Sequence, residues 1–277
     1  MDYNKPADVV SALIEAGTHK TNLSIGNMLL KGMLSGALLG VATSLAFTAA
    51  MQSKLPFIGS MLFPVGFVML YLLGLELATG NFALLPLAMF ARRVGWARVM
   101  RSWFWVYLGN LIGSLIYAAL LWIALTMGGQ ASAGGSVADS IVAIATLKTI
   151  HYAAYGGYGW LTVFIKGILC NWMVTMAAVM FMISKSTTAK ILAMWLPIMT
   201  FFGQGFEHSI VNMFVIPAGI MLGAKISVAE WWVLNEIPAT LGNIAGAILF
   251  TALPLYALYK PKDTLIDSSA PSNPKPR

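Results

Sequence analysis

Of the chain's 277 residues only 10% are Asp, Glu, Lys or Arg and 58% are hydrophobic, with a mean hydropathy of +0.78. Soluble domains carry about 25% charged residues, so a soluble fold of this length is excluded. The net charge of +7 sits beside apolar segments, where it sets topology rather than forming a nucleic-acid face, and Cys170 as the sole cysteine excludes an intramolecular disulfide or a thiolate metal cage.

The chain begins with Val9, Val10, Leu13, Ile14 and Gly17 at helical spacing among Asp2, Lys5, Asp8, Glu15 and Lys20. This stretch has no apolar run of a cleavable signal peptide, and its spacing predicts an amphipathic cytoplasmic helix on the membrane surface within residues 1–27. Six apolar spans follow, at about 28–51, 57–91, 103–127, 161–183, 190–222 and 234–259. They group into a three-span unit (28–127), an extracytoplasmic connection (128–160) that is Gly/Ala/Ser-rich at its start, and a second three-span unit (161–259). Pro, Ser and charge predict a disordered cytoplasmic tail over 260–277. Lys5, Lys20, Lys31, Arg92, Arg93, Arg98, Arg101, Lys185, Lys190, Lys260, Lys262, Lys275 and Arg277 fall at one face, against Lys54, Lys148 and Lys225 at the other. The positive-inside rule therefore puts both termini in the cytoplasm.

The two units resemble each other. Lys31-Gly32-Met33-Leu34 returns as Lys166-Gly167-Ile168-Leu169; Gly74-Leu75-Glu76 with Asn81 returns as Gly205-Phe206-Glu207 with Asn212; Leu108-Gly109-Asn110 with Gly113 returns as Leu241-Gly242-Asn243 with Gly246. The offsets are 135, 131 and 133 residues, in the same order, which marks an internal duplication. A three-span repeat enters the membrane from opposite sides in its two copies, so the expected fold is an all-α integral membrane protein of two inverted three-helix repeats, an aquaporin-like arrangement. The second and fifth spans are too long and too interrupted for plain helices, and each carries Gly, Glu and Asn near the midplane. Paired interruptions of this kind mark a transport site, and half-helix N-termini facing inward favour an anion.

Gly205-Phe206-Glu207-His208-Ser209-Ile210-Val211-Asn212-Met213 closely follows a signature of the formate/nitrite transporter family, and Gly74-Leu75-Glu76-Leu77-Ala78-Thr79-Gly80-Asn81 resembles its other signature. The similarity runs from about Glu15, in Glu-Ala-Gly-Thr-His-Lys, to Tyr259. An imidazole is the side chain that exchanges protons near neutral pH, and ionisable groups at the midplane are costly enough to be functional. The resemblance implies that His208 is the central pore histidine, that Thr79 is its hydroxyl partner on the opposite break, and that Phe63, Phe67 and Phe201 form two apolar constrictions. It also makes Lys20 and Lys148 vestibule lysines that concentrate anions. Where the family has Phe before the loop threonine this chain has Ala78, which puts the selectivity of that constriction in question. Two intramembrane carboxylates need partners, and the expected pairs are Glu207 with Lys20 and Glu76 with Lys148. Asn171 and Asn212 are expected to donate to backbone or to His208. Lys31 and Lys166, matched across the repeat, are expected to snorkel or cap, with no transport role.

No phosphate-loop motif is present, His19, His151 and His208 lack metal-ligand spacing, and no Asn-Pro-Ala pair suggests a water channel. No metal or cofactor is expected. The expected function is a channel or transporter for small monovalent weak-acid anions, formate first, with possible proton coupling through His208. Nitrite, hydrosulfide or a short monocarboxylate on the same scaffold is the alternative, and a membrane-embedded enzyme using Glu207 and His208 as acid and base is the alternative of another class. The resemblance implies a homopentamer in a bacterial-type cytoplasmic membrane.

Overall fold

The computed structural model describes residues 2–132 and 135–260. Among these, regular structure is helical apart from one isolated bridge between Tyr3 and Ser184. The helices are α1 (Pro6–Thr21), α2 (Ile25–Ser53), α3 (Pro56–Leu62), α4 (Val65–Leu72), α5 (Ala78–Phe90), α6 (Trp96–Thr126), α7 (Ser136–Lys148), α8 (Ile150–Ala153), α9 (Gly157–Met182), α10 (Thr187–Gly203), α11 (Ser209–Met221) and α12 (Val228–Tyr259). The tail assigned to 260–277 lies outside the described residues beyond Lys260.

Helices α2, α6, α9 and α12 are each long and apolar enough to cross a membrane. The second and fifth apolar segments are divided into α3, α4 and α5 and into α10 and α11, and the same device stops α4 and α10. Gly74 takes φ +61°, its N–H reaches the Tyr71 carbonyl at 3.1 Å and the next N–H reaches back to Leu70 at 2.9 Å. Gly205 takes φ +64°, with the matching bonds to Phe202 (3.0 Å) and Phe201 (3.1 Å). This left-handed turn satisfies the last carbonyls of a helix and penalises a residue with a Cβ. Three residues outside regular structure follow in each segment, the last of them, Leu77 and His208, extended, before α5 and α11 begin.

Two long-helix pairs frame these breaks, α2 with α6 and α9 with α12. A Cβ on Gly32 would lie 3.1 Å from the Gly109 Cα, and a Cβ on Gly167 would lie 3.0 to 3.1 Å from the Gly242 Cα seen from either helix. Only glycines permit backbones this close. Helix α12 contains two π-helical turns, Trp231–Glu236 and Ile248–Ala252, each immediately upstream of a proline, Pro238 and Pro254. A proline lacks the N–H and crowds the carbonyl four residues back, and a widened turn accommodates both. The connecting stretch carries α7, which packs on α11.

Helix α1 departs from the surface-helix expectation. Its stripe Val9, Val10, Leu13 and Ile14 is buried against protein, with Gly17 set against the Leu84 carbonyl of α5. The apolar face is covered by the neighbouring helix, so amphipathic spacing here records tertiary packing.

Candidate functional site

The three repeated peptides of each unit converge on one buried asparagine. Asn110 Nδ2 donates to the carbonyls of Gly32 (2.9 Å) and Glu76 (3.0 Å), while its Oδ1 accepts from the Ala78 N–H (2.9 Å). Asn243 does the same for Gly167 (2.8 Å), Glu207 (2.9 Å) and the Ser209 N–H (2.9 Å). An asparagine supplies both donors and an acceptor, so one side chain satisfies the backbone that each broken helix leaves bare.

Each break presents a carboxylate to a lysine. Glu76 pairs with Lys20 at 2.7 Å and Glu207 with Lys148 at 2.7 Å. This corrects the expected pairing of Glu207 with Lys20 and Glu76 with Lys148. The packing of α1 on α5 carries Lys20 to the first break, and the packing of α7 on α11 carries Lys148 to the second, so each lysine meets the carboxylate of the broken segment it covers. The asparagines five residues on complete the carboxylates: Asn81 Nδ2 donates to Glu76 and Asn212 Nδ2 to Glu207, both at 2.8 Å. Glu207 also accepts from Asn235 Nδ2 at 3.2 Å and from the Tyr152 hydroxyl at 3.4 Å. The Tyr152 phenol, between α7 and α9, is pushed up to about 12, by burial first and then by the Glu207 charge, so it stays protonated and donates.

At the centre, Thr79 at the start of α5 and His208 just before α11 meet across 129 residues of chain, Thr79 Oγ1 lying 3.0 Å from His208 Nε2. Thr79 is 0% exposed and His208 1%. His208 Nδ1 accepts the N–H of Val211 at 3.2 Å, an N-cap of α11. That bond requires a bare Nδ1, so the imidazole proton sits on Nε2 and points to Thr79. Phe201 stacks on the imidazole (5.5 Å, 19°) and Phe67 meets it edge-on (5.7 Å, 80°), while Phe63 touches both phenylalanines at 5.7 and 5.8 Å. The three rings touch one another, because Phe63 and Phe67 lie about one helical turn apart and face the Phe201 end of α10. Ala78 is fully buried and gives its N–H to Asn110.

A cavity flanks the centre on either side. One of about 310 Å³ is lined by Lys20, Lys31, Glu76, Leu70, Tyr71 and Phe181 among others. The second, of about 350 Å³, is lined by Lys148, Lys166, Glu207, His208 and the rings of Phe201 and Phe202. The side chains of both supporting asparagines turn away from the His208 imidazole: Asn171 Nδ2 donates to the carbonyls of Thr79 (3.0 Å) and Asn243 (2.7 Å), and Asn212 Nδ2 donates to Asn235 Oδ1 at 2.7 Å as well as to Glu207, while the Asn212 backbone N–H donates to the His208 carbonyl at 2.9 Å. Lys31 caps the Gly74 carbonyl at 3.1 Å, as expected of a capping lysine, and Lys166 donates to the Tyr152 hydroxyl at 2.9 Å. Sequence reasoning passed over the organising roles of Asn110 and Asn243, whose place in the repeat was the available signal, and over Asn235 and Tyr152, for which no signal existed. It also passed over Glu236, a fully buried carboxylate on α12 that accepts from the Tyr107 hydroxyl at 2.7 Å and the Trp231 ring N–H at 3.2 Å.

Long apolar helices, two broken segments and a buried polar centre between two charged cavities define an integral membrane protein of the all-helical class, with its chemistry concentrated at the breaks. The chain belongs to the formate/nitrite transporter family, whose model, described as formate/nitrite transporter, matches residues 7–257. It is 32% identical over 273 residues to the uncharacterized transporter YrhG of Bacillus subtilis (strain 168), covering 95% of this chain and 96% of that one. It is also 32% identical over 269 residues to the formate channel FocA of Haemophilus influenzae, covering 88% and 90%. Among solved structures it is similar to an FNT family ion channel, with a TM-score of 0.77, 25% identity and coverage of 91% of this chain and 98% of the other. A pentameric formate channel with formate bound matches with a TM-score of 0.69, 27% identity and coverage of 85% and 97%.

Proposed function

We propose that this protein is a passive or proton-coupled pathway for small monovalent weak-acid anions, formate first, assembled as a homopentamer with one pore per protomer. The carrying observation is the 3.0 Å contact of Thr79 Oγ1 with His208 Nε2, which joins two broken segments between two lysine-bearing cavities. In this reading the six spans form two inverted repeats, both termini are cytoplasmic, the Lys20 cavity opens to the cytoplasm and the Lys148 cavity opens to the outside. Family membership and formate-channel relatives at about one-third identity support transport over an acid/base enzyme.

An anion leaving either cavity must shed water at the buried centre, and the ring cluster makes that step costly on the Lys148 side. The Nε2–H of His208 and the Thr79 hydroxyl are the donors it meets. Handing over a proton requires more. Neutral His208 holds its one proton on Nε2, so proton transfer needs a second proton on Nδ1 after the bond from Val211 opens. Hydrogen bonding is therefore the role of His208 while the Val211 cap is in place, and acid chemistry needs that cap released.

Uptake of labelled formate, nitrite and hydrosulfide into proteoliposomes at several pH values tests this reading, and an intact oligomer that carries none of them overturns it. The companion variant His208→Leu should form the pentamer and lose the pH dependence of flux. A variant with the parent's pH profile removes His208 from proton handling.

A further inference from the structure

Each cavity holds two lysines and one glutamate: Lys148, Lys166 and Glu207 on one side, Lys20, Lys31 and Glu76 on the other. The glutamates choose between them. Lys148 lies 2.7 Å from Glu207 and Lys20 2.7 Å from Glu76, and these are the two ion pairs among the described residues. A pair this close acts at a distance as a dipole and attracts an incoming anion weakly. Lys166 and Lys31 have no carboxylate partner among the described residues.

We infer that Lys166, held by Tyr152, is a further anion-binding cation of the outer cavity beside Lys148, with Lys31 its counterpart beside Lys20 in the other. The inference rests on the pathway proposed above and names a further group that recruits its substrate. Lys166 lies within the apolar helix α9, where an uncompensated ammonium is costly. Its Nζ makes one hydrogen bond among the described residues, to the Tyr152 hydroxyl at 2.9 Å, and sits 5.5 Å from the centre of that ring. An ammonium has three donors, so two remain for an anion. Tyr152 in turn donates to Glu207 Oε1 at 3.4 Å, so the hydroxyl that holds Lys166 is itself oriented by the ion pair. The Lys166 carbonyl also accepts the Glu207 N–H at 3.3 Å, which fixes this stretch of α9 beside the break. Lys31 is tied to a neutral carbonyl and is likewise without a counter-charge.

The test is labelled formate uptake against concentration, at low and high ionic strength, in proteoliposomes of the parent, K166Q, K166R and K148Q. K166Q should raise the half-saturating formate concentration about tenfold, the low end of what a focused charge supplies, and should flatten its salt dependence. The effect on half-saturation should exceed the effect on maximal rate. K166R should stay near the parent, K148Q should lose assembled protein, and K31Q should mirror K166Q when the gradient is reversed. Half-saturation and salt dependence in K166Q equal to the parent's overturn the inference, and so does a K166R that is impaired as much as K166Q. If K166Q does not assemble, K166M replaces it with the same expectation. A parent that carries no anion fails the pathway itself, an outcome distinct from a parent that carries formate with an indifferent Lys166.

Discussion

The two broken segments are built from the same peptides and bonded by the same asparagine, yet one is much more heavily tied than the other. Asn110 and Asn243 make equivalent contacts to within about 0.1 Å. The carboxylates differ: Glu76 has Lys20 and Asn81, whereas Glu207 has Lys148, Asn212, Asn235 and Tyr152. At the 133-residue offset, the counterpart of Asn235 is Ser102, whose buried hydroxyl has no hydrogen-bond partner among the described residues. At the 135-residue offset, the counterpart of Asn171 is Gly36, pressed against the Asn110 carbonyl, so there only the second unit has room for a side chain that reaches Thr79. Duplicated backbone work is conserved between the copies, while side-chain work has moved to the copy that carries His208.

The comparison can be broken most severely at its common element. Asn110→Ala and Asn243→Ala each strip partners from three buried backbone groups, at about 1–3 kcal/mol per unpaired group. Both should abolish recovery of assembled protein, read by size-exclusion chromatography in mild detergent. Survival of one and loss of the other would show that the two breaks are not equally dependent on their asparagine.

The asymmetry is tested next by the carboxylates. Removing one partner of a buried ion pair costs about 3–5 kcal/mol. Glu207→Gln should approach that cost, because Lys148 has a side-chain exposure of only 15% and three further donors lose their charged acceptor. Glu76→Gln should cost less, since Lys20 at 20% is nearer to water and only Asn81 shares the site. Melting of the detergent-solubilised oligomer ranks them, and a larger loss for Glu76→Gln reverses the argument.

A smaller loss is expected from Asn171→Ala, which frees the Thr79 and Asn243 carbonyls and should lower stability by about 2 kcal/mol. Its flux at equal protein should fall more than its stability, because Thr79 loses its tether to α9. Equal falls would make Asn171 merely structural. The last change reads out in selectivity: Ala78→Phe should narrow the range of transported anions. An unchanged range of transported anions would show that position 78 does not select.

How far the sequence alone reached follows the same division. Composition and apolar runs announced an integral membrane protein, since a bilayer imposes span length and hydrophobicity on every such segment whatever its neighbours. The near-constant offsets pointed to paired glycines, glutamates and asparagines, because a left-handed turn and a close helix crossing each restrict residue type locally. The signatures around Thr79 and His208 carry the family resemblance in residue identity alone. What escaped was every choice between equivalent partners. Lys20 and Lys148 are both lysines near both glutamates in pattern, and only the packing of α1 on α5 and of α7 on α11 decided which carboxylate each would meet. The three phenylalanines stood out only through the family resemblance, and their mutual contact depends on how α3, α4 and α10 face each other. Asn235 and Tyr152 carry no pattern at all, being ordinary residues made important by position. Residue type thus determined where the backbone must break and which polar groups must be buried. Tertiary structure decided the pairing of those groups, because ion pairs and ring contacts a few ångströms long depend on helix placement that local sequence does not encode.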